Sequence, residues 1–401
     1  MKDIFIVDYI RTPIGSFGGT LAAVRTDDLA VLVLKELIRR NPSVDFSKIG
    51  DVILGCANQA GEDNRNVARM AGLMAGLPIN VPGETVNRLC ASGLSATIAA
   101  ARAIMVGDAE FAISGGVENM TRGPWVISKT STPYGRDAQM FDSSFGWRFV
   151  NPMMKEMFGT DAMGDTAENL VDRDHISRID QDKFSFNSQQ KAKQAHENGR
   201  FSKEIISVEI PQKKGDAIRF SKDEFMKPET TLEGLAKLKP AFRKDGSVTA
   251  GNSAGLNDGA AALLLASQDS IDKYKLKPLA KIISSAVVGV EPRIMGIGPV
   301  EAANIALSRA KLSFDDIDII ELNEAFASQS LAVIRSWGLK DDDSRINPNG
   351  GAIALGHPLG MTGARILGSA ALELHEKNKR YALVTMCIGV GQGYAVIIEK
   401  V

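Results

Sequence analysis

Two cysteines and one histidine of this 401-residue chain lie in settings that favour covalent chemistry. Cys90 occurs in NRLCASGL, His357 in GGAIALGHPLGMTGAR and Cys387 in VTMCIGVGQG. The thiolate is the reactive form of cysteine, and a neighbouring histidine can accept the thiol proton. All three segments contain glycine, which lets the backbone turn tightly and come close to a ligand. These segments are therefore the candidates for a reactive site.

Cys90 is predicted to lie between a strand and a helix that begins near Gly93. The positive end of a helix dipole favours a thiolate over a thiol. The three residues after Cys90 are small and leave room for a substrate: Ala91, Ser92 and Gly93. The alternative is an inert structural cysteine, because free cysteines are among the most buried residues in proteins.

The settings of His357 and Cys387 also allow more than one interpretation. Glycines surround His357 on both sides, and Pro358 biases the histidine to an extended backbone. Cys387 follows a predicted strand, where a buried structural cysteine is the alternative. The G-x-G-x-G run after Cys387 is not a dinucleotide-binding fingerprint, because a final strand follows it where a helix would be required.

Asn323 and Glu324 lie in ELNEAFA, which is predicted to end a strand and to begin a helix at Glu324. Asn is a common helix N-cap, and that role is the structural alternative for Asn323. The position is also the carboxyl end of a strand, where open α/β sheets bind their ligands. Asn323 is therefore a further candidate for the site.

The elements that must position these residues follow an α/β pattern. Over the first 120 residues, short apolar runs alternate with helix-like stretches, which predicts a mostly parallel sheet with helices on its faces. The pattern is lost in a long excursion rich in Met and Trp, which either anchor the excursion or line a site. It returns from Asn257 onward. The surroundings of Cys90 and His357 are faintly similar, which indicates duplicated halves.

Composition excludes several classes of protein. The chain has 47 Lys and Arg, 48 Asp and Glu and a formal charge of -1, which gives no electrostatic reason to bind nucleic acid. No apolar run is expected to reach the roughly 18 residues of a membrane span. Three isolated cysteines predict a reducing, cytoplasmic location, and no metal-binding spacing is present. The N-terminus is predicted to be a first strand and not a signal peptide.

Taken together, the segments resemble those of the thiolase family over essentially the whole chain. The matching segments, in order, are NRLCASGLSA, GGVENM, MGDTAEN, TAGNSAGLNDGAA, LNEAFA, NPNGGAIALGHPLGMTGAR and CIGVGQG. The resemblance implies an α/β fold of two duplicated mixed-sheet halves, packed as a layered α-β-α-β-α sandwich. It divides the chain into an N-terminal half (1–120 plus 250–273), a loop domain (121–249) inserted in that half and a C-terminal half (274–401).

The resemblance also implies a role for each reactive residue. Cys90 would take an acyl group from a 3-oxoacyl-CoA after His357 accepts its proton, and Cys387 would move the α-proton of acetyl-CoA. His357 and Asn323 would hold the enolate oxygen, Asn323 through a water. The backbone N–H groups of Cys90 and Gly389 would hold the thioester oxyanion. No bound cofactor or metal is implied, and coenzyme A would be a substrate.

Residues that bind coenzyme A are implied with less detail. Met163 matches the position beside the pantetheine arm, although the His that precedes it in biosynthetic members is Ala162 here. Lys227 stands where some members have an Arg near the nucleotide. The serine that faces pantetheine in other members lies one residue after Ser253, because this chain has NSAG where others have NASG, so its position is Ala254 here.

Two segments are similar to the 3-oxoadipyl-CoA thiolases in particular: GCANQAGEDNRNVARMA and GWRFVNPMM. That substrate carries a distal carboxylate, for which Arg65 and Arg148 are the candidate partners; the alternative is that both are ordinary surface arginines.

Another substrate specificity, for acetoacetyl-CoA or fatty 3-oxoacyl-CoA, stays open. A ketoacyl synthase would be expected to lack Cys387, and a non-catalytic acyl-CoA binding protein would not need the reactive residues. The resemblance implies a homodimer or homotetramer.

Overall fold

The structure is a computed structural model that describes residues 2–401. Fourteen strands are formed within these residues. They are β1 (Ile4–Arg11), β2 (Gly15–Ser16), β3 (Ile49–Gly55), β4 (Gly83–Val86), β5 (Phe111–Asn119), β6 (Trp125–Ile127), β7 (Met140–Asp142), β8 (Val208–Ile210), β9 (Ile218–Phe220), β10 (Asn257–Ser267), β11 (Ala280–Gly289), β12 (Ile319–Leu322), β13 (Tyr381–Ile388) and β14 (Gln392–Lys400).

Twelve α-helices lie in the same part of the chain. They are α1 (Thr26–Arg40), α2 (Val67–Met74), α3 (Ser92–Val106), α4 (Pro152–Phe158), α5 (Met163–Asp174), α6 (Arg178–Glu197), α7 (Leu232–Ala236), α8 (Gln268–Tyr274), α9 (Gly298–Ala310), α10 (Ala327–Ser336), α11 (Ala352–Leu355) and α12 (Leu359–Glu376).

The main strands form one mixed sheet in the order β12-β13-β14-β11-β1-β10-β5-β3-β4, with β2 paired to β10. The order β1-β10-β5-β3 in the first half corresponds to β11-β14-β13-β12 in the second, as duplication requires. The halves meet where Phe5 and Ile6 of β1 pair with β11. Parallel pairing is confined to β3–β4, β3–β5 and β12–β13 among the described strands. The expectation of a mostly parallel sheet is therefore wrong, whereas the mixed-sheet α/β fold is confirmed.

Helices α3 and α12 occupy corresponding places in the two halves and pack against each other in the core. Glycine permits their close approach at the first turns. A Cβ on Gly363 would lie 2.4 Å from the Leu94 nitrogen, and one on Gly93 would lie 2.6 Å from the Gly360 oxygen. This crossing brings the chain segment around Cys90 next to the segment that follows His357.

The apolar helix α3 is long enough, together with the preceding turn, to meet a simple membrane-span criterion. The stretch Leu89–Val106 could cross a membrane by length and composition, so the expectation that no apolar run reaches that length is wrong. More than half of the stretch is buried inside the protein. Burial between two layers of the core explains its apolar composition without a membrane.

The long excursion between β5 and β10 contains two short hairpins, β6–β7 and β8–β9, and the helices α4 to α7. A buried ion cluster fixes it to the first strand. The Arg11 guanidinium of β1 lies 2.7 Å from Asp223 and 2.7 Å from Glu204, and all three side chains are buried. A buried Arg requires such partners, because an unpaired buried charge is costly. The division into 1–120 plus 250–273, 121–249 and 274–401 stays a prediction.

Candidate active site

Cys90 lies in a single 3-10 turn, Leu89–Ala91, that leads directly into α3. Leu89 has a φ of +46°, a left-handed conformation that is rare for a residue with a branched side chain. Such strain persists only where the surrounding structure imposes it, and it often occurs at functional sites. The turn places the half-buried Cys90 thiol at the N-terminal end of the core helix.

The environment of the Cys90 thiol favours its neutral form. Burial raises the pKa to about 11, although the backbone N–H groups of Gly389 and of Cys90 itself act in the opposite direction. Burial therefore opposes the effect of the helix end, which favours the thiolate, in the protein without substrate. A base must accept the thiol proton. The same two N–H groups point at the sulfur, where they can also donate to the oxygen of an acyl group on it.

Cys387 and Gly389 come from the end of β13, in the second half. Cys387 is fully buried, and both burial and the neighbouring Cys90 raise the pKa of its thiol, so the two sulfurs face a common space. A Cβ on Gly389 would lie 3.2 Å from the Leu89 side chain. Val390, which follows, has a φ of +63°, so strained residues flank both cysteine segments.

His357 lies in the loop between α11 and α12 and is buried. Its backbone N–H donates to Asn257 Oδ1 at 2.9 Å, which fixes the loop against β10. The ring nitrogen Nε2 lies 3.5 Å from Asn323 Nδ2, and Nδ1 lies 2.7 Å from Thr362 Oγ1. Burial lowers the pKa of His357 to about 3, with a smaller contribution from the Arg365 charge. The imidazole is therefore neutral at physiological pH and able to accept a proton.

Asn323 does not cap the helix that follows it. The helix α10 begins at Ala327 and not at Glu324, and its N-cap residue is Phe326 in an extended conformation. The expected helix start and the N-cap alternative are therefore both wrong. Phe326 pairs with Ser253 through an isolated antiparallel bridge, and the Asn323 amide nitrogen faces His357 Nε2.

A buried carboxylate, Glu118, connects the two loops of the site. It accepts hydrogen bonds from the backbone N–H groups of Ala57 and Asn58, after β3, and from Gly360 at the start of α12. The ligand atoms of Cys56, Asp63 and Glu118 lie within 4.8 Å of one another, an arrangement that could suit a metal ion. The Glu118 oxygens already accept three N–H groups, and the Cys56 thiol donates to Asp63. This donor pattern fits a hydrogen-bonded core cluster.

The residues expected to bind coenzyme A lie on two sides of the site. Met163, the first residue of α5, lies near Gly389 and lines a small cavity with Trp147 and Val390. On the other side, a cleft of about 330 Å³ is lined by Lys227 and Gly251, among others. Lys227 is exposed and its Nζ lies 5.7 Å from the centre of the Phe225 ring.

Ser253 and Ala254 come shortly after Gly251 in the sequence, and Gly251 lines this cleft. The Ser253 hydroxyl is buried and donates to the Thr249 oxygen at 2.7 Å, so its hydrogen bond is already used within the chain. The Ala254 N–H donates to the Ala325 oxygen at 2.9 Å, and the residue is half-buried. Of the two residues, Ala254 is the more accessible to a ligand.

The two candidate arginines differ in their surroundings. Arg65 is exposed and has a φ of +69°. Arg148 is half-buried, donates to the Ser143 oxygen at 3.1 Å and forms no ion pair with any residue in 2–401. It follows Trp147, which lines the small cavity beside Met163. Neither arginine forms an ion pair within residues 2–401, so the two candidates differ in exposure: Arg148 is half-buried and Arg65 is exposed.

Two residues of the site were not assigned a role from the sequence. Glu118 lies in GGVENM and Thr362 in GHPLGMTGAR, so both occur in segments that the resemblance singled out. For Thr362 the sequence offers no spacing signal, because it follows His357 by five residues, whereas helix spacing joins residues three or four apart. No spacing rule joins Glu118 to Gly360, because these residues come from different halves.

Comparison with known proteins agrees with this geometry. The family described as thiolase, N-terminal domain matches residues 4–269, and that described as thiolase, C-terminal domain matches residues 276–400. The chain is 57% identical over 401 residues to a 3-oxoadipyl-CoA/3-oxo-5,6-dehydrosuberyl-CoA thiolase of Escherichia coli K12, and 55% identical over 401 residues to a beta-ketoadipyl-CoA thiolase of Acinetobacter baylyi. Each alignment covers 100% of both chains.

Among solved structures, human mitochondrial 3-ketoacyl-CoA thiolase in complex with CoA is similar, with a TM-score of 0.92 and 40% identity. The alignment covers 100% of this chain and 98% of that one. Both family matches, the full-length relatives and the fold agree with the resemblance that the sequence indicated. The chain belongs to the thiolase family of acyltransferases.

Proposed function

We propose that the protein cleaves 3-oxoadipyl-CoA with coenzyme A to succinyl-CoA and acetyl-CoA. The observation that carries this proposal is the identity of 55–57% over the whole chain to thiolases named for that substrate. The geometry around Cys90, His357 and Cys387 supports a covalent route. The roles given below to individual residues are part of the proposal.

In the first step, His357 Nε2 accepts the Cys90 proton while the sulfur attacks the 3-oxo carbon of the substrate. Because burial opposes charge on the thiol, we expect proton transfer to accompany the attack and not to precede it. The new C–S bond converts the ketone oxygen into an oxyanion. The backbone N–H groups of Cys90 and Gly389 are positioned to donate to that oxygen.

In the second step, the bond between the α-carbon and the former ketone carbon breaks. The electron pair passes to acetyl-CoA as an enolate, and Cys387 gives its proton to the α-carbon. The enolate oxygen is held by His357, which carries the proton from Cys90, and by Asn323. The high pKa of the buried Cys387 thiol suits it to return to the protonated form after each exchange. Acetyl-CoA leaves, and a succinyl group stays on Cys90.

In the third step, the thiol of coenzyme A attacks the acyl-enzyme. Its proton passes to the Cys387 thiolate formed in the second step, and His357 returns its proton to Cys90, which leaves as the thiol as succinyl-CoA is released. Acetyl-CoA departs before coenzyme A enters, so the kinetics are ping-pong. The cleft beside Lys227 supports binding of the nucleotide end, since an ammonium can pair with phosphate. We expect Met163 and Ala254 to contact the pantetheine arm.

The distal carboxylate of the substrate requires a cation in the acyl pocket. We favour Arg148 over Arg65, because Arg148 is half-buried without an ion-pair partner in residues 2–401 and Arg65 is exposed. Arg148→Ala should lower kcat/KM for 3-oxoadipyl-CoA by roughly 10- to 100-fold, the effect of losing a hydrogen bond to a charged group. Turnover of acetoacetyl-CoA, which has no such carboxylate, should be unchanged.

Arg136→Ala is the matched control for this experiment, because Arg136 is an exposed arginine of the same excursion. Arg65→Ala tests the second candidate. If neither Arg148→Ala nor Arg65→Ala alters the preference between the two substrates, the assignment of the acyl pocket is wrong.

A panel of substrates tests the proposed specificity. Cleavage dependent on coenzyme A is measured with 3-oxoadipyl-CoA, acetoacetyl-CoA and a long-chain 3-oxoacyl-CoA. The proposal predicts the highest kcat/KM for 3-oxoadipyl-CoA; a higher value for either other substrate would support the acetoacetyl-CoA or fatty 3-oxoacyl-CoA alternative. Absence of cleavage with all three would favour a non-catalytic acyl-CoA binding protein.

We also propose a cytoplasmic homodimer or homotetramer. The excursion carries large apolar side chains that stay exposed in the single chain, including Trp125, Ile127, Met140, Met153 and Met157. Large apolar side chains that stay exposed are typical of a surface that another chain covers. Light scattering after size-exclusion chromatography tests the assembly, and a monomer at micromolar concentration would contradict it.

A further inference from the structure

Thr362 makes a direct contact with the ring of His357. It lies on the first turn of α12 and is fully buried, and its Oγ1 lies 2.7 Å from His357 Nδ1. The same hydroxyl donates to the Pro358 oxygen at 2.9 Å. Among residues 2–401, the ring nitrogens of His357 have hydrogen-bond contacts with two side chains, Thr362 at Nδ1 and Asn323 at Nε2.

The contact with Thr362 defines where the imidazole proton lies. A threonine hydroxyl has one proton, and here that proton is directed to the Pro358 oxygen. The Thr362 oxygen can therefore act at Nδ1 only as an acceptor, which requires that Nδ1 carry the proton. In a neutral imidazole Nε2 then has the lone pair.

The opposite side of the ring selects the same tautomer. Nε2 faces the Asn323 amide nitrogen at 3.5 Å, and that nitrogen is a donor. A proton on Nε2 would place two donors against each other in a buried site. The two contacts thus agree, although they come from different elements, α12 and the segment before α10.

We propose that Thr362 is a positioning residue that holds neutral His357 in the Nδ1–H tautomer, so that Nε2 accepts the Cys90 proton. This inference rests on the role of His357 given under the proposed function. When the S–H bond of Cys90 breaks, an N–H bond forms at Nε2, and the electron pair of the S–H bond goes to the new C–S bond. The imidazolium keeps its Nδ1 proton on Thr362 throughout, and no proton enters or leaves through Thr362.

The test compares variants that differ in the acceptor at this position. Thr362→Val keeps the shape of the side chain and removes the acceptor. The Nδ1 proton of neutral His357 then has no hydrogen-bond acceptor, and the Nδ1–H tautomer is no longer favoured. We expect kcat to fall by roughly 10- to 100-fold, as for a buried hydrogen bond whose partner is left unsatisfied, with KM for the acyl-CoA within about threefold of the wild type. Thr362→Ser keeps the hydroxyl and should restore kcat to within about threefold.

Thr97→Val is the matched control. Thr97 is also a buried helical threonine, and its hydroxyl donates to the backbone oxygen of Gly93, four residues earlier. It has no contact with a histidine, so this variant should retain the wild-type kcat. If Thr362→Val does not fold, Thr362→Cys compared with Thr362→Ser gives the same test, because a cysteine sulfur is a weak acceptor of similar size.

Each outcome of these measurements decides the proposal. A low kcat in Thr362→Val, or in Thr362→Cys, with recovery in Thr362→Ser supports it. Wild-type kcat in Thr362→Val, or equal loss in the Ser and Cys variants, overturns it. A separate measurement distinguishes failure of the Thr362 proposal from failure of the proposed role of His357. It is the rate at which iodoacetamide alkylates Cys90 in His357→Ala. If alkylation is as fast as in the wild type, His357 is not the base, whatever the Thr362 variants show.

Discussion

At the scale of single residues, burial controls the protonation states of the reactive groups. Glycine-rich surroundings and helix boundaries indicated Cys90, His357 and Cys387. A helix N-terminus predicted a thiolate at Cys90, yet burial raises the pKa of that thiol to about 11. The degree of desolvation depends on which segments of the other half cover the site, and no local pattern in the sequence contains that information.

Cys387→Ala should separate acylation from proton transfer. The variant keeps Cys90 and should still be acylated by an acyl-CoA, whereas exchange of the acetyl-CoA α-proton with solvent should fall by at least about 100-fold, the usual effect of a positioned acid or base. Deuterium incorporation into acetyl-CoA, followed by mass spectrometry, measures this. Cys56→Ser is the control, since Cys56 is the buried third cysteine. Normal exchange in Cys387→Ala would exclude Cys387 as the acid.

The lowered pKa of His357 predicts an effect of acid on stability. Its pKa is about 3 in the folded protein and about 6.5 when exposed, so the unfolded state binds more protons between these values. The stabilising contribution is therefore complete above pH 6.5 and is lost as the pH falls towards 3. The slope is at most about 1.4 kcal/mol per pH unit.

His357→Gln removes this titration. Urea unfolding at pH 7.5 and at pH 5 should show a smaller decrease in the free energy of unfolding for the variant than for the wild type. Equal decreases in the two proteins would show that His357 is not held neutral by the fold.

At the scale of secondary-structure elements, alternating apolar runs predicted most strands and helices near their observed positions. The helix predicted to begin near Gly93 is observed to begin at Ser92. The boundary at Asn323 was wrong, because a residue typical of an N-cap is used there for a contact with His357. The sequence pattern also does not predict that β1 pairs with β10 and β11. A strand that is buried on both faces has the same continuous apolar pattern whether its neighbours are parallel or antiparallel.

The close crossing of α3 and α12 predicts that replacing a glycine at the contact destabilises the protein. Gly363→Ala would place a Cβ 2.4 Å from the backbone nitrogen of Leu94, so the helices must separate, at a cost of about 1–3 kcal/mol. Gly72→Ala is the matched control: Gly72 lies in the interior of α2, and the closest atom to its Cβ would be 3.4 Å away in the Leu77 side chain. Alanine is the better helix former, so this change should be neutral or stabilising.

Thermal unfolding and activity of both glycine variants test the crossing. We expect a lower Tm and lower activity for Gly363→Ala alone, because the crossing also joins the segments that carry Cys90 and His357. A Tm for Gly363→Ala equal to that of Gly72→Ala would contradict the packing described here.

At the scale of the whole molecule, the two halves contribute different parts of one site. The first half supplies Cys90 at the start of α3, and the second supplies His357 ahead of α12 and Cys387 at the end of β13. Glu118 connects the halves through the Gly360 N–H. The resemblance of several ordered segments predicted this assembly, whereas Glu118, which joins the halves, and Thr362, which contacts His357 within the second half, became visible only in the folded protein.

The most direct test of the account is to identify the residue that carries the acyl group. The protein is incubated with 3-oxoadipyl-CoA in the absence of coenzyme A, quenched with acid, digested and analysed by peptide mass spectrometry. The account predicts one succinyl group on Cys90, which is released as succinyl-CoA when coenzyme A is added, and no acylation of folded Cys90→Ser. A succinyl group on Cys387 or Cys56, or acylation that persists in Cys90→Ser, would contradict it.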